Sequence, residues 1–322
     1  MSSTRLRTLL APALLAAASA AAQGYPERPV RMVIPYPPGG TVDVVARVTG
    51  VGLAEQFGRN VIIDNRAGAN GIVGSDIVSK ATPDGYTLLV QASIFVINPL
   101  FLKNVPYDVQ KDFTPIVGIG SVPLLVTANP GVPVANLREF IALAKAAPGK
   151  YSFATSGLGS AGHLSEEMIK RQAGIPDLLI VPYKGAGPAL VDLMGGQVSA
   201  MIDPLPSSYP HVRSGRLKPI AVTSAKRVIF LPDTPTVSES GIKGFDMASW
   251  YGLWGPPGLP KPVVAKLTAE TTKAARAPLA IDRLGEQGFE ASGMGPEAFA
   301  KFIAVEIERY AKVVKEANIK AD

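Results

Sequence analysis

The sequence contains no cysteine and only two histidines, His163 and His211. Without cysteine there is no disulfide, no thiolate metal site and no cysteine nucleophile. A lipid-anchored bacterial secreted protein needs a cysteine at its mature N-terminus, so that form of anchoring is excluded too. Two histidines cannot build a three-histidine zinc site, and no D-x-D-x-D-G calcium loop is present. Lysine and arginine nowhere form a run interleaved with aromatics, which argues against nucleic-acid binding. Beyond residue 22 no segment offers the ~18 uninterrupted apolar residues of a membrane span. The expectation is a soluble chain with no metal, no cofactor and no nucleic-acid partner.

The first 22 residues read as a secretory signal. Arg5 and Arg7 form a short basic start, Leu9 to Ala18 is apolar and uncharged, and Ala18-Ser19-Ala20 and Ala20-Ala21-Ala22 both fit a small-residue cleavage rule. Cleavage after Ala20 or Ala22 would release the mature chain into the periplasm. The net charge of +6 falls to +4 when Arg5 and Arg7 are removed (6 minus 2), a modest value for this size. A chain that is 47% hydrophobic at this length buries a large core, commonly divided between two lobes.

Apolar runs and helical patterns then alternate. Strands are expected at Val30–Ile34, Val61–Asp64 and Tyr86–Gln91, with helices at Val42–Phe57 and Gly74–Lys80 between them. After the turn-rich Asn129-Pro-Gly-Val-Pro the pattern restarts. Helices are expected at Leu137–Ala146, His163–Ala173 and Gly187–Met194, and strands at Tyr151–Thr155, Leu178–Val181, Ala200–Asp203 and Pro219–Thr223. An aromatic strand, Ser249–Trp254, precedes helices at Pro262–Ala275 and Pro296–Lys315. Strand, helix, strand with short links is the pattern of parallel α/β layers. Trp250, Tyr251 and Trp254 read as packing residues.

Each unit runs from a strand through a glycine-rich loop into a helix: "PYPPGGTVD" at 35–43 and "SGLGSAGH" at 156–163. Such loops present free N–H groups at a helix N-terminus, an anion-binding device. Gly157, Gly159 and Gly162 have the G-x-G-x-x-G spacing of a dinucleotide loop. The required acid at the end of the following strand is missing, because Leu178–Val181 leads into Pro182-Tyr183-Lys184 and Asp177 precedes the strand. Ser160 lacks the glycine two residues before it that a G-x-S-x-G nucleophile elbow needs, and no Walker A loop surrounds Gly149-Lys150. Neither loop holds Arg or Lys, so attraction to an anion must come from N–H dipoles and hydroxyls.

Seven ordered blocks carry a resemblance: "YPERPVRMVIPYPPGGTVDVVAR", "PDGYTLL", "NVPYDVQKDFTPI", "TSGLGSAGHL", "VPYKGAGPALVDLMGGQV", "RSGRLKPIAVTSAKR" and "LPDTPTVSESG". Over nearly all of the mature chain the sequence resembles the periplasmic solute-binding proteins of tripartite tricarboxylate transporters, the Bug-type receptors. The resemblance implies an α/β, two-lobed type II periplasmic-binding-protein fold with a ligand cleft between the lobes. Lobe one would be residues 23–122 plus 248–322, and lobe two residues 123–247. It implies a monomer without enzymatic activity that binds a small organic carboxylate and delivers it to the membrane subunits of a transporter. The implied ligand residues are Tyr36, Gly39, Gly40, Thr41 and Asp43 in the first loop and Ser156, Gly157, Gly159, Ser160 and His163 in the second, with Asp203 at a strand end bordering the cleft. Two alternatives stand beside it: an exported hydrolase using Ser160 with His163, and a sensor that presents ligand to a membrane kinase.

Overall fold

One strand organises the molecule. In the computed structural model, which describes residues 24–285, 288–316 and 319, the 15-residue strand β4 (Thr114–Ala128) runs through two sheets and changes partners halfway. Its first half lies between β9 (Ala248–Gly255) and β10 (Glu290–Met294), and its second half between β7 (Ala200–Pro204) and β8 (Lys218–Val222), all antiparallel.

Beyond β9, the first sheet continues antiparallel to β3 (Thr87–Ala92) and then parallel through β1 (Val30–Ile34) to β2 (Val61–Asn65). Beyond β7, the second continues parallel through β5 (Ser152–Thr155) to β6 (Leu179–Pro182). The helices are α1 (Thr41–Phe57), α2 (Ile72–Ser79), α3 (Ile94–Phe101), α4 (Leu137–Ala146), α5 (Ala161–Gln172), α6 (Ala186–Met194), α7 (Leu205–Arg213), α8 (Lys261–Ala275), α9 (Pro278–Leu284) and α10 (Pro296–Glu316).

The expected elements fall within two residues of these bounds. Strand β4 was not among them, because Pro115, Gly118, Gly120 and Pro123 interrupt its apolar pattern. Two of those glycines serve close approach. A Cβ on Gly120 would stand 2.5 Å from the Glu290 carbonyl oxygen and 2.4 Å from the Phe289 ring, so only glycine lets β10 pair there. Helices α3, with Pro99 inside, and α7, with Pro206 and Pro210, also lie outside the expected set. Proline and the lack of helical periodicity conceal both.

Buried aromatic edges join α3, α10 and the first sheet. The Trp254 ring centroid lies 5.1 Å from those of both Phe95 and Phe299, separations at which ring quadrupoles attract. Where β4 changes sheets, Thr223 holds both chain crossings. Its hydroxyl donates to Met247 O at 2.6 Å and accepts from Leu124 N at 2.9 Å. Among the described residues no helix is long and apolar enough to cross a membrane.

Candidate functional site

The first loop is shaped by a network behind it. Gly39 adopts φ +92, a left-handed conformation that favours glycine. Gly40 then caps α1 with extended backbone and no side-chain hydrogen bond. Asp43 faces away from the cleft. Its carboxylate accepts from Gly39 N at 3.1 Å, Arg47 Nε at 2.9 Å and Asn65 Nδ2 at 2.9 Å, and Asn65 Nδ2 also donates to Tyr36 O at 3.0 Å. Burial raises the Asp43 pKa, but the hydrogen bonds from Arg47, Asn65 and Gly39 outweigh it and hold the carboxyl below its usual range. Asp43 therefore fixes the loop's shape.

The second loop is fastened by His163. Its ring Nδ1 accepts from Gly159 N at 3.0 Å, while its backbone N donates to the N-cap hydroxyl of Ser160 at 3.1 Å. The ring is buried, and burial, with Lys170 adding to it, lowers the pKa to about 4. Because Nδ1 is committed to Gly159, the ring is not placed as a base for Ser160, and the geometry a serine hydrolase needs is not formed.

A pH dependence follows. A histidine whose folded pKa lies below its unfolded value of 6.5 contributes stability that is full above pH 6.5 and is lost as pH falls toward about 4. At pH 4.5 the loss is roughly 2–3 kcal/mol. His163→Asn, whose Oδ1 replaces Nδ1 as acceptor and does not titrate, is expected to lose less stability between pH 7 and 4.5. Urea unfolding of both proteins at both pH values measures the difference, and equal losses would remove His163 as the cause.

The three spaced glycines serve close packing. A Cβ on Gly157 would stand 2.7 Å from Asn70 Oδ1, one on Gly159 2.3 Å from the Phe101 ring, and one on Gly162 2.1 Å from Ile202 O. The first two contacts bring the segment after β5 against the segment after β2 and against α3. Asn70, at φ +57, donates through Nδ2 to Leu158 O at 2.6 Å and to Asn98 Oδ1 at 2.7 Å. Thr41 Oγ1 donates to Ser207 Oγ at 3.3 Å. These contacts lie beside a space walled by segments from both sheets' connections.

That space is a cavity of about 80 Å³. Five helix N-termini border it: α1 at Gly40 to Val42, α3 at Ser93 and Ile94, α5 at Ser160 to Gly162, α6 at Gly185 to Gly187, and α7 at Pro204. Four of the five, all but α5, have no side-chain cap. The wall also holds Tyr36 and Tyr251, whose buried hydroxyls have no hydrogen-bond partner. Among the described residues lining the cavity there is no Arg, Lys or His, and the one carboxyl is that of Asp203. Burial, opposed by hydroxyls of Ser207 and Ser156, pushes that carboxyl up to about 7. A wider chamber of about 570 Å³ adjoins, with Lys184 its one charged lining residue among those described.

Of the residues singled out in the sequence, Tyr36, Gly40, Thr41, Ser156, Ser160 and Asp203 line the inner cavity. Gly157 lines the outer chamber, and Gly39, Asp43, Gly159 and His163 line neither. Sequence reasoning missed Ser93, Gly185 to Gly187, Ser249 and Tyr251. The Gly-Ala-Gly-Pro entry to α6 had the same signal as the two recognised loops, small residues ahead of a helix. Tyr251, read as packing, had none.

Comparison with known proteins settles the family. The family model for the tripartite tricarboxylate transporter family receptor matches residues 45–319. The chain belongs to this receptor family. It is similar to protein BugT of Bordetella pertussis, 37% identical over 306 residues that cover 94% of each chain. Among solved structures it is similar to an R. palustris protein with adipate, at 36% identity and TM-score 0.89, covering 92% of this chain and 99% of that one. MatC from Rhodopseudomonas palustris with bound malate matches at 32% identity and TM-score 0.84, covering 90% of this chain and 100% of that one. The family thus brings with it the two-lobed periplasmic-binding fold, and its members are receptors rather than enzymes.

Proposed function

We propose that this chain is a periplasmic receptor that closes on a small organic carboxylate and delivers it to the membrane subunits of a tripartite transporter. The observation that carries this reading is the convergence of five helix N-termini on one cavity with no basic side chain in its wall. One such terminus contributes about 1–2 kcal/mol to holding an anion, too little by itself for micromolar binding at roughly 8 kcal/mol. Five around one cavity reach that scale, with the Tyr36 and Tyr251 hydroxyls as further donors. The solved relatives with adipate and malate support the ligand class.

The partner change of β4 and the crossing at Met247 support a lobe division of 23–122 plus 248–322 against 123–247. In this reading the receptor is monomeric, and residues 1–22, which lie outside the described residues, are a signal peptide cleaved after Ala20 or Ala22. The ligand contacts are Tyr36, Gly40, Thr41, Ser156 and Ser160, with Asp203 and Tyr251 beside them. Isothermal titration of the purified mature protein against acetate, adipate, malate, citrate, benzoate, glutamate and a neutral sugar tests the assignment. Binding confined to the carboxylates is the expected result. Binding of the sugar with none of the acids would sink it.

A further inference from the structure

We propose that the cavity takes up one proton together with its ligand, and that Asp203 is the group that holds it, so that the bound carboxylate sits beside a neutral acid. The inference rests on the carboxylate-receptor reading. Its first support is the charge inventory of the wall. Among the described lining residues the only side chain with a formal charge when ionised near neutral pH is an acid, and it is 1% exposed. A ligand carboxylate and an ionised Asp203 sharing this cavity repel with reduced solvent screening, and among the described residues no cation lines the cavity to offset them, Lys184 lining only the adjoining chamber.

The second support is a count of hydrogens at Ser207. Its Oγ has one hydrogen and three polar neighbours: Thr41 Oγ1 at 3.3 Å, Pro204 O at 2.8 Å, and Asp203 Oδ2. Thr41 donates. The Ser207 hydroxyl is oriented to donate both to the Pro204 carbonyl and to Asp203 Oδ2, but it has one hydrogen for the two acceptors. An ionised Asp203 competes with the Pro204 carbonyl for that hydrogen, whereas a protonated Asp203 can donate to Ser207 Oγ and leave the hydrogen to Pro204. All three contacts are satisfied together when Asp203 is protonated. Thr41 lies at the start of α1 and Ser207 in α7, so the set spans the two sides of the cavity.

The other titratable groups around Asp203 do not reverse this. Glu166 on α5 is fully buried, accepts from Ile202 N at 3.2 Å and leaves Oε2 without a partner. Burial, with the charge of Asp203 adding to it and the hydrogen bond from Ile202 N opposing it, raises its pKa well above the usual range, so it offers no positive charge to offset an ionised Asp203. His163 on the same helix is neutral. Tyr251 on β9 and Tyr36 in the first loop are held protonated by burial. The neighbouring residues of α7, Ser207 and Ser208, carry no charge. With Asp203 near 7 in the free protein and higher in the complex, affinity falls as pH rises through neutrality. The proton comes from solvent, one for each ligand bound.

The test is titration calorimetry at pH 6, 7 and 8 with the tightest binder among acetate, adipate, malate, citrate, benzoate and glutamate. Each pH is run in two buffers of different ionisation enthalpy, which counts protons taken up. Ligand carboxyls with pKa values of about 4 to 5 are largely ionised throughout this range. With a pKa of about 7, the protonated fraction of Asp203 falls from roughly ten-elevenths at pH 6 to one-eleventh at pH 8, so Kd is expected to rise about tenfold. Proton uptake at pH 8 should approach one per ligand.

Asp203→Asn is expected to bind at pH 8 as tightly as the native protein does at pH 6, with no slope, and Glu166→Gln is expected to keep the slope. A native Kd that is flat from pH 6 to 8 without proton uptake overturns the proposal, whether or not the variants fold. Loss of all binding in Asp203→Asn with an unchanged melting temperature also overturns it, by showing that the ionised acid is required, as for an amine ligand. A slope abolished by Glu166→Gln moves the proton to the wrong residue and overturns the assignment. Failure of every acid to bind at any pH is a different result, because it removes the carboxylate reading itself.

Discussion

Gly162→Ala is expected to destabilise the protein by about 2 kcal/mol net and to lower its melting temperature by roughly 3 °C. The methyl group would stand 2.1 Å from the Ile202 carbonyl oxygen and 3.2 Å from its carbon, and both atoms are backbone. Ile202 has no room to retreat. It lies in β7, registered with Val126 of β4, and its N–H donates to Glu166 Oε1. The helix must shift instead, carrying Ser160 and the loop with it. Alanine in place of glycine inside a helix contributes up to about 1 kcal/mol in the other direction. Overpacking against fixed backbone costs about 3 kcal/mol, so the clash wins. Urea denaturation of the ligand-free protein measures the balance, and an unchanged or raised midpoint would show that α5 moves freely off the sheet.

Gly40→Val should do the reverse. Gly40 has φ −80 and ψ 165, a conformation that valine prefers, and nothing lies within 4 Å of its Cβ position. The free protein is expected to keep its melting temperature. The open space that receives the side chain is the cavity, however, and three extra carbons in about 80 Å³ obstruct approach to the start of α1. Ligand affinity should fall at least tenfold, about 1.4 kcal/mol or more. Calorimetry with the native protein's best carboxylate reads the loss, and retained affinity in a stable variant would remove the first loop from the site. Gly39, one residue earlier at φ +92, does not allow the same experiment, because there the strain falls on the fold.

The contrast between these glycines shows how far the sequence could be read. Glycine ahead of a helix identified both loops, and the apolar runs of β1 and β5 located the strands that carry them. Sequence spacing does not say what a glycine makes room for. At Gly40 it is open cavity, at Gly159 the ring of Phe101, and at Gly162 a carbonyl. His163 follows the loop as a ligand contact would, yet its ring Nδ1 is used to hold Gly159. Asp43 similarly serves Gly39, Arg47 and Asn65. Tyr251 and Trp254 share the aromatic stretch of β9, but only Tyr251 reaches the cavity wall. The meeting of α1, α3, α5, α6 and α7 is a tertiary event, created when two sheets share one strand, and no local pattern encodes it.

The placement of β9 also has a consequence in time. It inserts between β3 and β4, so the middle of the first sheet is filled by residues 248–255 while its neighbours end at residues 92 and 128. A chain emerging from its N-terminus would present β1, β2 and β3 long before the strand that connects them to β4. Pairing over more than a hundred residues makes this closure a slow, late step. β3 and β4 cannot be joined through β9 until some four-fifths of the chain is available.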